Sequence, residues 1–152
     1  MRVSAKTDYA LRAAAEIAAA TGDAPVKGER IALAQDIPLR FLENILSELR
    51  NAGIVATQRG VEGGYWLAKP ADQITLAEVM RALEGPLANV RGHRPETLAY
   101  EGSAKSLAEL WIAVRASLRT VLETTTVADL ANGRLPEQVK ALTADPEAWS
   151  SH

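Results

Sequence analysis

Arg59 lies at the edge of a glycine-rich segment that predicts the tip of a β-hairpin. Two short β-prone runs, Ile54–Gln58 and Tyr65–Leu67, flank three glycines, the first of which is Gly60. Glycine permits the tight backbone of such a tip and lets the tip approach another surface closely. An arginine in this place could contact a phosphate or enter the minor groove of DNA, since a narrow groove attracts arginine. The alternative is a surface salt bridge with Glu62.

Two sets of side chains recur at helical spacing just before this hairpin. The apolar set, typical of a core-facing stripe, is Leu42, Ile45, Leu46 and Leu49. The polar set, expected to face outward, is Arg40, Glu43, Asn44 and Ser47. In the major groove an arginine pairs with guanine, an asparagine pairs with adenine, and a glutamate accepts from cytosine. An ordinary solvated face is the alternative, and the neighbouring turn and hairpin favour the DNA-facing interpretation.

The elements that would carry these side chains follow the order of a winged helix-turn-helix. The sequence predicts helices over residues 7–20, 28–35 and 38–51, with Pro38 suited to the first turn of the third helix. The glycine-rich hairpin comes next and would form the wing. The third helix and the wing could then meet one DNA duplex.

Basic and hydroxyl side chains also stand before the first two helices. Such residues hold phosphates with help from the free backbone N–H groups of a helix start. The candidates are Arg2, Ser4, Lys6 and Thr7 before the first helix, and Lys27 and Gly28 at the second. For the first group, a frayed and solvated chain start is an equally simple alternative.

The second half of the chain predicts a capped helix, a loop and one long helix. Thr75 and Glu78 have the spacing of a capping box, so a fourth helix should start there and end near Gly85. Residues 86–103 are interpreted as a loop, and residues 104–132 as a long helix with a short terminal one. The apolar stripe of the long helix is Leu107, Leu110, Trp111, Val114, Leu118, Val121 and Leu122.

A helix this long and apolar needs a partner, and a second copy of the chain is the simplest one. The stripe is therefore the expected dimer interface. The predicted fold class is mainly α with a small β-hairpin wing. A winged helix-turn-helix DNA-binding domain at residues 1–85 would precede the C-terminal dimerisation helix. Residues 133–152 are expected to form a loosely packed tail.

Composition narrows the classes of function. The net charge is −2, with 9 Lys+Arg against 8 Asp+Glu in residues 1–70 and 8 against 11 in residues 71–152. Each subunit would therefore neutralise few phosphates, and a dimer would be needed for useful affinity. Cysteine is absent, which excludes disulfides, cysteine-ligated clusters and thiol chemistry. Because no long apolar run, signal peptide or catalytic motif is visible, we expect a cytoplasmic protein that is not an enzyme.

Several segments carry a resemblance to a known family. They are Met-Arg-Val-Ser-Ala-Lys-Thr-Asp-Tyr-Ala-Leu-Arg at 1–12, Ile-Pro-Leu-Arg-Phe-Leu-Glu at 37–43, Arg-Gly-Val-Glu-Gly-Gly-Tyr at 59–65, Ile-Thr-Leu-Ala-Glu-Val at 74–79, Leu-Trp at 110–111 and Thr-Val-Ala-Asp-Leu at 126–130. Together they resemble the Rrf-two (Rrf2) family of bacterial winged-helix regulators, which includes repressors of iron–sulfur cluster assembly, nitric-oxide defence and cysteine metabolism. The resemblance covers about residues 1–132.

This resemblance implies a homodimer that joins through the long helix and binds a palindromic operator. The DNA contacts that it carries over fall on Ser4, Lys6, Pro38, Arg40, Phe41, Glu43, Asn44 and Arg59. Pro38 has neither an N–H group nor a polar side chain, so it has no hydrogen bond to donate there.

One departure from the family pattern concerns the sensor. Many members hold an iron–sulfur cluster on three cysteines between the fourth helix and the long one, and residues 88–105 contain no cysteine here. His93 lies in this segment, but one imidazole cannot hold a cluster. We therefore expect no cofactor and no control by a cluster or a thiol. Sensing of a small apolar molecule, control by a protein partner, and the lack of any effector all stay open.

The sequence thus predicts a sequence-specific transcriptional regulator, a repressor by resemblance, that acts as a homodimer on double-stranded DNA. One alternative is a winged-helix module that binds proteins only, favoured by the near-neutral front half. Another is a ligand-binding protein with a pocket near Tyr100, Trp111 and the 86–104 loop.

Overall fold

The computed structural model of the protein describes residues 1–20 and 24–152. Seven α-helices and one antiparallel hairpin occur in this described part. In chain order they are α1 (Ala5–Ala19), α2 (Gly28–Gln35), α3 (Leu39–Asn51), β1 (Val55–Gln58), β2 (Gly64–Leu67), α4 (Leu76–Glu84), α5 (Leu107–Leu122), α6 (Val127–Ala131) and α7 (Glu137–Ala141). The order confirms the predicted fold class, a mainly helical protein with a hairpin wing.

Alanines in α1 let several other helices approach its surface. Ala10, Ala13 and Ala14 are fully buried, and α2, α3, α4 and α6 all pack against α1. Larger side chains from those helices, from the wing and from the segments that join them fill the core, namely Ile31, Leu42, Ile45, Leu46, Leu49, Ile54, Val55, Ile74, Val79 and Val127. Each buried aliphatic side chain of this kind contributes roughly 1.5–3 kcal/mol of stability.

The stripe predicted for the third helix is confirmed, because its four apolar side chains are at most 1% exposed. The preceding turn is made by Asp36, which adopts a left-handed backbone with φ 50°, and by Ile37, which is buried. Pro38 forms the N-cap of α3 rather than its first helical residue. α2 and α3 therefore form the predicted helix-turn-helix.

One backbone bridge holds the wing against the body of the domain. β1 and β2 pair in register, with Gln58 opposite Gly64. Outside this ladder the backbones of Val26 and Tyr65 exchange two hydrogen bonds, of 2.7 Å and 2.8 Å. The linker before α2 thus acts as a one-residue third strand, and it fixes the wing beside the helix-turn-helix.

The helix α6, which was predicted together with the long helix at residues 104–132, packs in the same core as the N-terminal helices. The Leu76 N–H donates to the Thr125 carbonyl and the Val127 N–H donates to the Ile74 carbonyl, each at 2.9 Å. Val127 is fully buried in the same core as α1. The chain therefore returns after α5 and closes the domain, instead of continuing as part of a separate dimerisation unit.

The predicted capping box of α4 is half formed. The Thr75 hydroxyl accepts from the Glu78 N–H at 3.1 Å, but the Glu78 carboxylate pairs with Lys69 at 2.6 Å. The attraction of a cation holds that carboxylate away from the cap. A complete capping box, which the sequence reasoning did not identify, starts α6 at Thr126.

The loop and the tail contain more structure than predicted. The 86–103 loop holds a turn closed by Val90 and His93 and two short 3₁₀ helices. The tail at 133–152 is not uniformly loose, because Val139 of α7 is buried, although Trp149 stays 77% exposed. Among the residues that the structure describes, no helix has the length and apolar character needed to cross a membrane.

A carboxylate joins the start of α1 to the end of α4. Ser4 caps α1 by accepting from the Thr7 N–H at 3.1 Å. The hydroxyls of Ser4 and Thr7 both donate to the Glu84 carboxylate, Thr7 at 2.9 Å. These hydrogen bonds, the one from Ser4 first, lower the pKa of Glu84 below its ordinary value of 4.5.

Gly64→Ala should destabilise the protein by about 1–3 kcal/mol, because it overpacks the bridge. A Cβ at Gly64 would lie 2.6 Å from the Val26 carbonyl oxygen. Urea unfolding measures the loss. Gly133→Ala is the matched control, since Gly133 also has a positive φ but has open space around its Cβ position. Equal stability of the two variants would show that the close approach has no energetic importance.

Glu84→Gln should lower the free energy of unfolding by less than about 1 kcal/mol at pH 7. The folded-state pKa of Glu84 is lowered, so its contribution is present above pH 4.5 and is lost as the pH falls through the folded value. The difference between parent and variant should therefore vanish in acid. Urea unfolding between pH 7 and pH 3 tests this, with the exposed Glu101→Gln as control, and a difference independent of pH would contradict it.

Candidate DNA-binding surface

Burial of the apolar stripe turns the opposite side of α3 toward solvent. Arg40, Glu43 and Asn44 are exposed there, and Ser47 is half-buried. No side chain in the described residues caps the N-terminus of α3. The N–H groups of the first turn therefore lie at an exposed helix end, where they and the helix dipole favour an anion such as a phosphate.

The wing presents Arg59 and Gly60 on the surface, and both are exposed. No ion pair joins Arg59 to Glu62 or to any other carboxylate in residues 1–20 and 24–152. The Lys27 ammonium donates to the carbonyl of Val61 at the wing tip. Lys27 thus braces the wing, and its charge stays at the surface.

A single groove joins α2, α3 and the wing. It has a volume of about 210 Å³, and its wall includes the predicted site residues Lys27, Gly28, Glu43 and Gly60. The remaining lining residues are Glu29, Gln58, Gly63, Gly64 and Tyr65. Residues predicted on three separate segments therefore lie around one groove.

Tyr65 lies in this groove and was not among the predicted site residues. Burial raises the pKa of its phenol, and the negative charge of Glu43 raises it further, so the hydroxyl stays protonated at neutral pH and can donate a hydrogen bond. The sequence could have pointed to Tyr65 through the alternation of side chains along the strand, because only one of Tyr65 and Trp66 can face the domain. Trp66 is the exposed one.

Gly28, predicted as a DNA contact, also packs against the residues around it. It is buried, and a Cβ there would lie 3.5 Å from the Tyr65 ring and 3.8 Å from Leu39. The small residue therefore lets α2 pack closely beside Tyr65.

The N-terminal candidates are engaged within the chain. Ser4 is the N-cap of α1 and bonds Glu84. Lys6 pairs with Glu48 of α3 at 2.7 Å, and its side chain is 32% exposed. This ion pair places the start of α1 beside the third helix. A phosphate that contacted Lys6 would compete with, or join, Glu48.

An aromatic contact fixes the start of α3 against α1. The Phe41 and Tyr9 rings meet edge to face, with centroids 5.8 Å apart and planes at 88°. The Arg12 guanidinium lies 5.0 Å from the centroid of the Tyr9 ring. Phe41 nevertheless remains partly exposed, as does Pro38 in front of it. Both therefore lie on the surface where the resemblance places DNA contacts.

A second region lies between α4, the turn after it and α5. A cavity of about 510 Å³ there is lined by Trp111, Met80, Leu87 and others, but Tyr100, expected near it, does not line it. The Trp111 indole N–H is buried without an acceptor among the described residues. In the same described part, no group of three or more His, Cys, Asp or Glu side chains is placed to hold a metal ion.

Comparison with known proteins assigns this arrangement to a family. Residues 3–133 match the family model Rrf2, described as iron-dependent transcriptional regulator. A putative HTH-type transcriptional regulator of Mycobacterium tuberculosis, Rv1287, is 47% identical over 151 residues, which cover 99% of this chain and 94% of the relative. The HTH-type transcriptional regulator CymR of Bacillus subtilis is 39% identical over 132 residues, 87% of this chain and 91% of CymR.

Solved structures agree with the sequence comparisons. The structure of B. subtilis CymR, the global cysteine regulator, superimposes with a TM-score of 0.74 at 38% identity over 88% of this chain and 98% of that one. The IscR structure of T. potens gives a TM-score of 0.70 at 29% identity over 99% and 97%. The winged helix, its sequence and its neighbours all lead to one conclusion: the chain belongs to the Rrf2 family of transcriptional regulators.

Proposed function

We propose that the protein binds a palindromic operator as a homodimer and represses transcription, without control by an iron–sulfur cluster or a thiol. The observation that carries the proposal is the single surface formed by the polar face of α3, the uncapped start of that helix and the wing. Repression requires only that the bound protein occupy promoter DNA. Family resemblance supports this mode of action.

The chemistry of base reading is divided between α3 and the wing. With α3 in the major groove, Asn44 pairs with adenine and Glu43 accepts from a cytosine amino group. Arg40, in the first turn, contacts guanine or a phosphate beside the free N–H groups. Arg59 enters the adjacent minor groove, and Lys27 meets the backbone. Two α3 helices separated by about 34–36 Å would read half-sites one helical turn apart.

The apolar stripe of α5 supports dimerisation, although some of its residues face outward and others pack on their own domain. None of the residues Leu107–Leu122, all of which the structure describes, is buried in the single chain, and Leu110 is 52% exposed. An apolar groove of about 590 Å³ is lined by Met1, Leu110, Ala113, Val114, Ser117, Leu118, Val121, Leu122 and Leu142. A second α5 fits this groove, because its own stripe has the same chemistry and a two-fold axis pairs like with like.

Two stripe residues, Leu107 and Trp111, do not line this groove, and a third, Leu122, lines it and also packs on its own chain. Trp111 lines the cavity beside Met80 and Leu87, and Leu122 also packs on the core of its own chain. Leu107 is half-buried and does not line the groove. The proposed interface therefore centres on Leu110, Val114 and Val121, while Trp111 and Leu122 attach α5 to its own domain.

The competing function is a winged helix that binds proteins alone. An electrophoretic shift with the DNA upstream of the protein's own gene separates the two functions. A sequence-dependent shift that weakens with salt supports an operator-binding regulator, because released counterions accompany phosphate contacts. No shift at low salt favours the protein-binding module.

A second candidate function is binding of a small apolar molecule in the cavity beside Trp111. The largely apolar wall of this cavity, which includes Met80, Leu87 and Val114, is the observation that favours it. A thermal-shift screen with cell metabolites tests this candidate. Failure of any compound to stabilise the protein would count against it.

Arg59→Ala should weaken operator binding and reduce the salt slope of the affinity by about one unit if Arg59 contacts a phosphate. Glu43→Ala should instead relax base preference at one position of each half-site, by about 1–3 kcal/mol of discrimination. Affinities for the operator and for single-base variants, measured at several salt concentrations, check both results. The exposed Arg134→Ala is the charge-matched control for Arg59. The site assignment would fail if both test variants bound like the parent.

Leu110→Glu should dissociate the dimer and, with it, tight operator binding. The substitution places a charge in the wall of the apolar groove, where burial without a partner is unfavourable. Ile112→Glu is the matched control, since Ile112 is also exposed, at 41%, but does not line the groove. Analytical ultracentrifugation at micromolar concentration reports the mass. A Leu110→Glu protein that sediments as a dimer would refute this interface.

A further inference from the structure

Four arginines from three segments of the chain surround one cleft beside the end of α4. Arg81 belongs to α4, Arg94 to the following loop, and Arg115 and Arg119 to α5. The cleft has a volume of about 370 Å³, and Gly85, Pro86, Leu87 and Glu96 complete its wall. It shares no lining residue with the groove between α3 and the wing or with the apolar groove on α5.

Two carboxylates neutralise half of the positive charge at the cleft. Oε1 of Glu123 pairs with Arg81 and lies 3.7 Å from Nε of Arg119. Glu96 pairs with Arg115. Arg94 forms no ion pair with the residues that the structure describes. Four guanidinium groups against two carboxylates leave an excess of two positive charges.

This excess persists over the physiological pH range. Arginine does not lose its proton in proteins. The pKa of Glu96 is lowered by a hydrogen bond from the backbone N–H of Glu96 itself and, second, by that from Arg115. This carboxylate is therefore already charged in the balance above. The side chain of Arg115 is only 16% exposed, so part of the cluster lies in the cleft rather than in open solvent.

We propose that this cleft binds a phosphate dianion, either inorganic phosphate or the phosphoryl group of a small metabolite, and that its occupancy regulates DNA binding. A dianion matches the excess of two charges. The guanidinium fork also matches the oxygens of a phosphate, which accept two parallel hydrogen bonds from one arginine. The volume leaves room for a small organic body attached to the phosphoryl group.

The position of the cleft connects it to DNA binding. Three of its four arginines lie on α4, which packs into the DNA-binding core through the buried Val79, and on α5, which carries the proposed dimer face. A bound anion would hold the two helices together against the repulsion among the arginines. It would thereby set the spacing between the two α3 helices of a dimer. This regulatory step rests on the proposed function, whereas anion binding itself does not.

Binding is tested on the full chain by thermal shift and calorimetry, with sodium phosphate and glycerol 3-phosphate as probes at constant ionic strength. We expect saturable stabilisation by both. Arg94→Gln should weaken it about tenfold, the equivalent of one charge-assisted hydrogen-bonded contact. Glu96→Gln should strengthen it, because it frees Arg115. Tighter binding of glycerol 3-phosphate would identify a phosphorylated metabolite as the source, and tighter binding of phosphate would identify the free ion.

Arg134→Gln removes the same charge from an exposed position outside the cleft and should bind both probes like the parent. Stabilisation that rises linearly without saturation, and equally in all variants, would reflect a general salt effect and overturn the proposal. So would an Arg94→Gln protein that binds both probes with the affinity of the parent.

Regulation is tested by measuring operator affinity with and without phosphate. We expect phosphate to change the operator affinity of the parent about fivefold or more. Arg94→Gln should lose this change, and its operator affinity without phosphate should equal that of the parent.

Arg40→Ala should lose operator binding and still saturate with phosphate. If the parent binds phosphate but no DNA, the proposed function fails and the anion site stands. If Arg94→Gln weakens operator binding without phosphate as Arg59→Ala does, the cleft is a DNA contact and the proposal is wrong.

Discussion

Burial of the apolar stripe of α3 is the constraint on which the rest of the structure depends. Leu42, Ile45, Leu46 and Leu49 are at most 1% exposed, and at roughly 1.5–3 kcal/mol each they contribute an amount comparable to the whole stability of an ordinary domain. A helix with this stripe has one orientation in the core. Burial of the apolar stripe therefore also turns the polar residues on the opposite face of α3 toward solvent.

Buried Val55 and a set of backbone hydrogen bonds together fix the position of the wing. A two-stranded hairpin alone is marginally stable in water. The exchange between Val26 and Tyr65 adds a third strand position, and glycine at 64 lets the two backbones come that close. Because Val26 lies two residues before the start of α2, this bridge relates the wing to the helix-turn-helix directly. The groove that contains Glu43, Tyr65 and Gly60 is the geometric result.

Elements set by local periodicity were predictable from the sequence, and those set by distant contacts were not. The bounds of α2, the stripe of α3, the hairpin and the long helix follow from spacing, capping residues and glycines within a few positions. The packing of α6 on the N-terminal core depends on pairing between Thr75 and Thr126, which lie 51 positions apart, and no local pattern in the sequence predicts that the two residues meet. The contacts of Ser4 with Glu84 and of Lys6 with Glu48 also join residues distant in sequence, so they could not be predicted either. For the candidate site, the sequence predicted that the third helix and the wing contribute to it. It did not predict that Tyr65 lines the groove, because the bridge to Val26 places Tyr65 there.

The two ends of α5 are both attached to the domain, and the two attachments differ in kind. At its C-terminal end, Leu122 packs on the core, and Thr125, three residues later, is hydrogen-bonded to α4. Toward its N-terminal end, Trp111 lines the cavity beside α4, and Arg115 pairs with Glu96 of the 86–103 loop. The core itself therefore holds the C-terminal end, whereas a cavity wall and an ion pair with the loop hold the other half. Leu110 of the proposed dimer face lies on the half of the helix that the loop contacts.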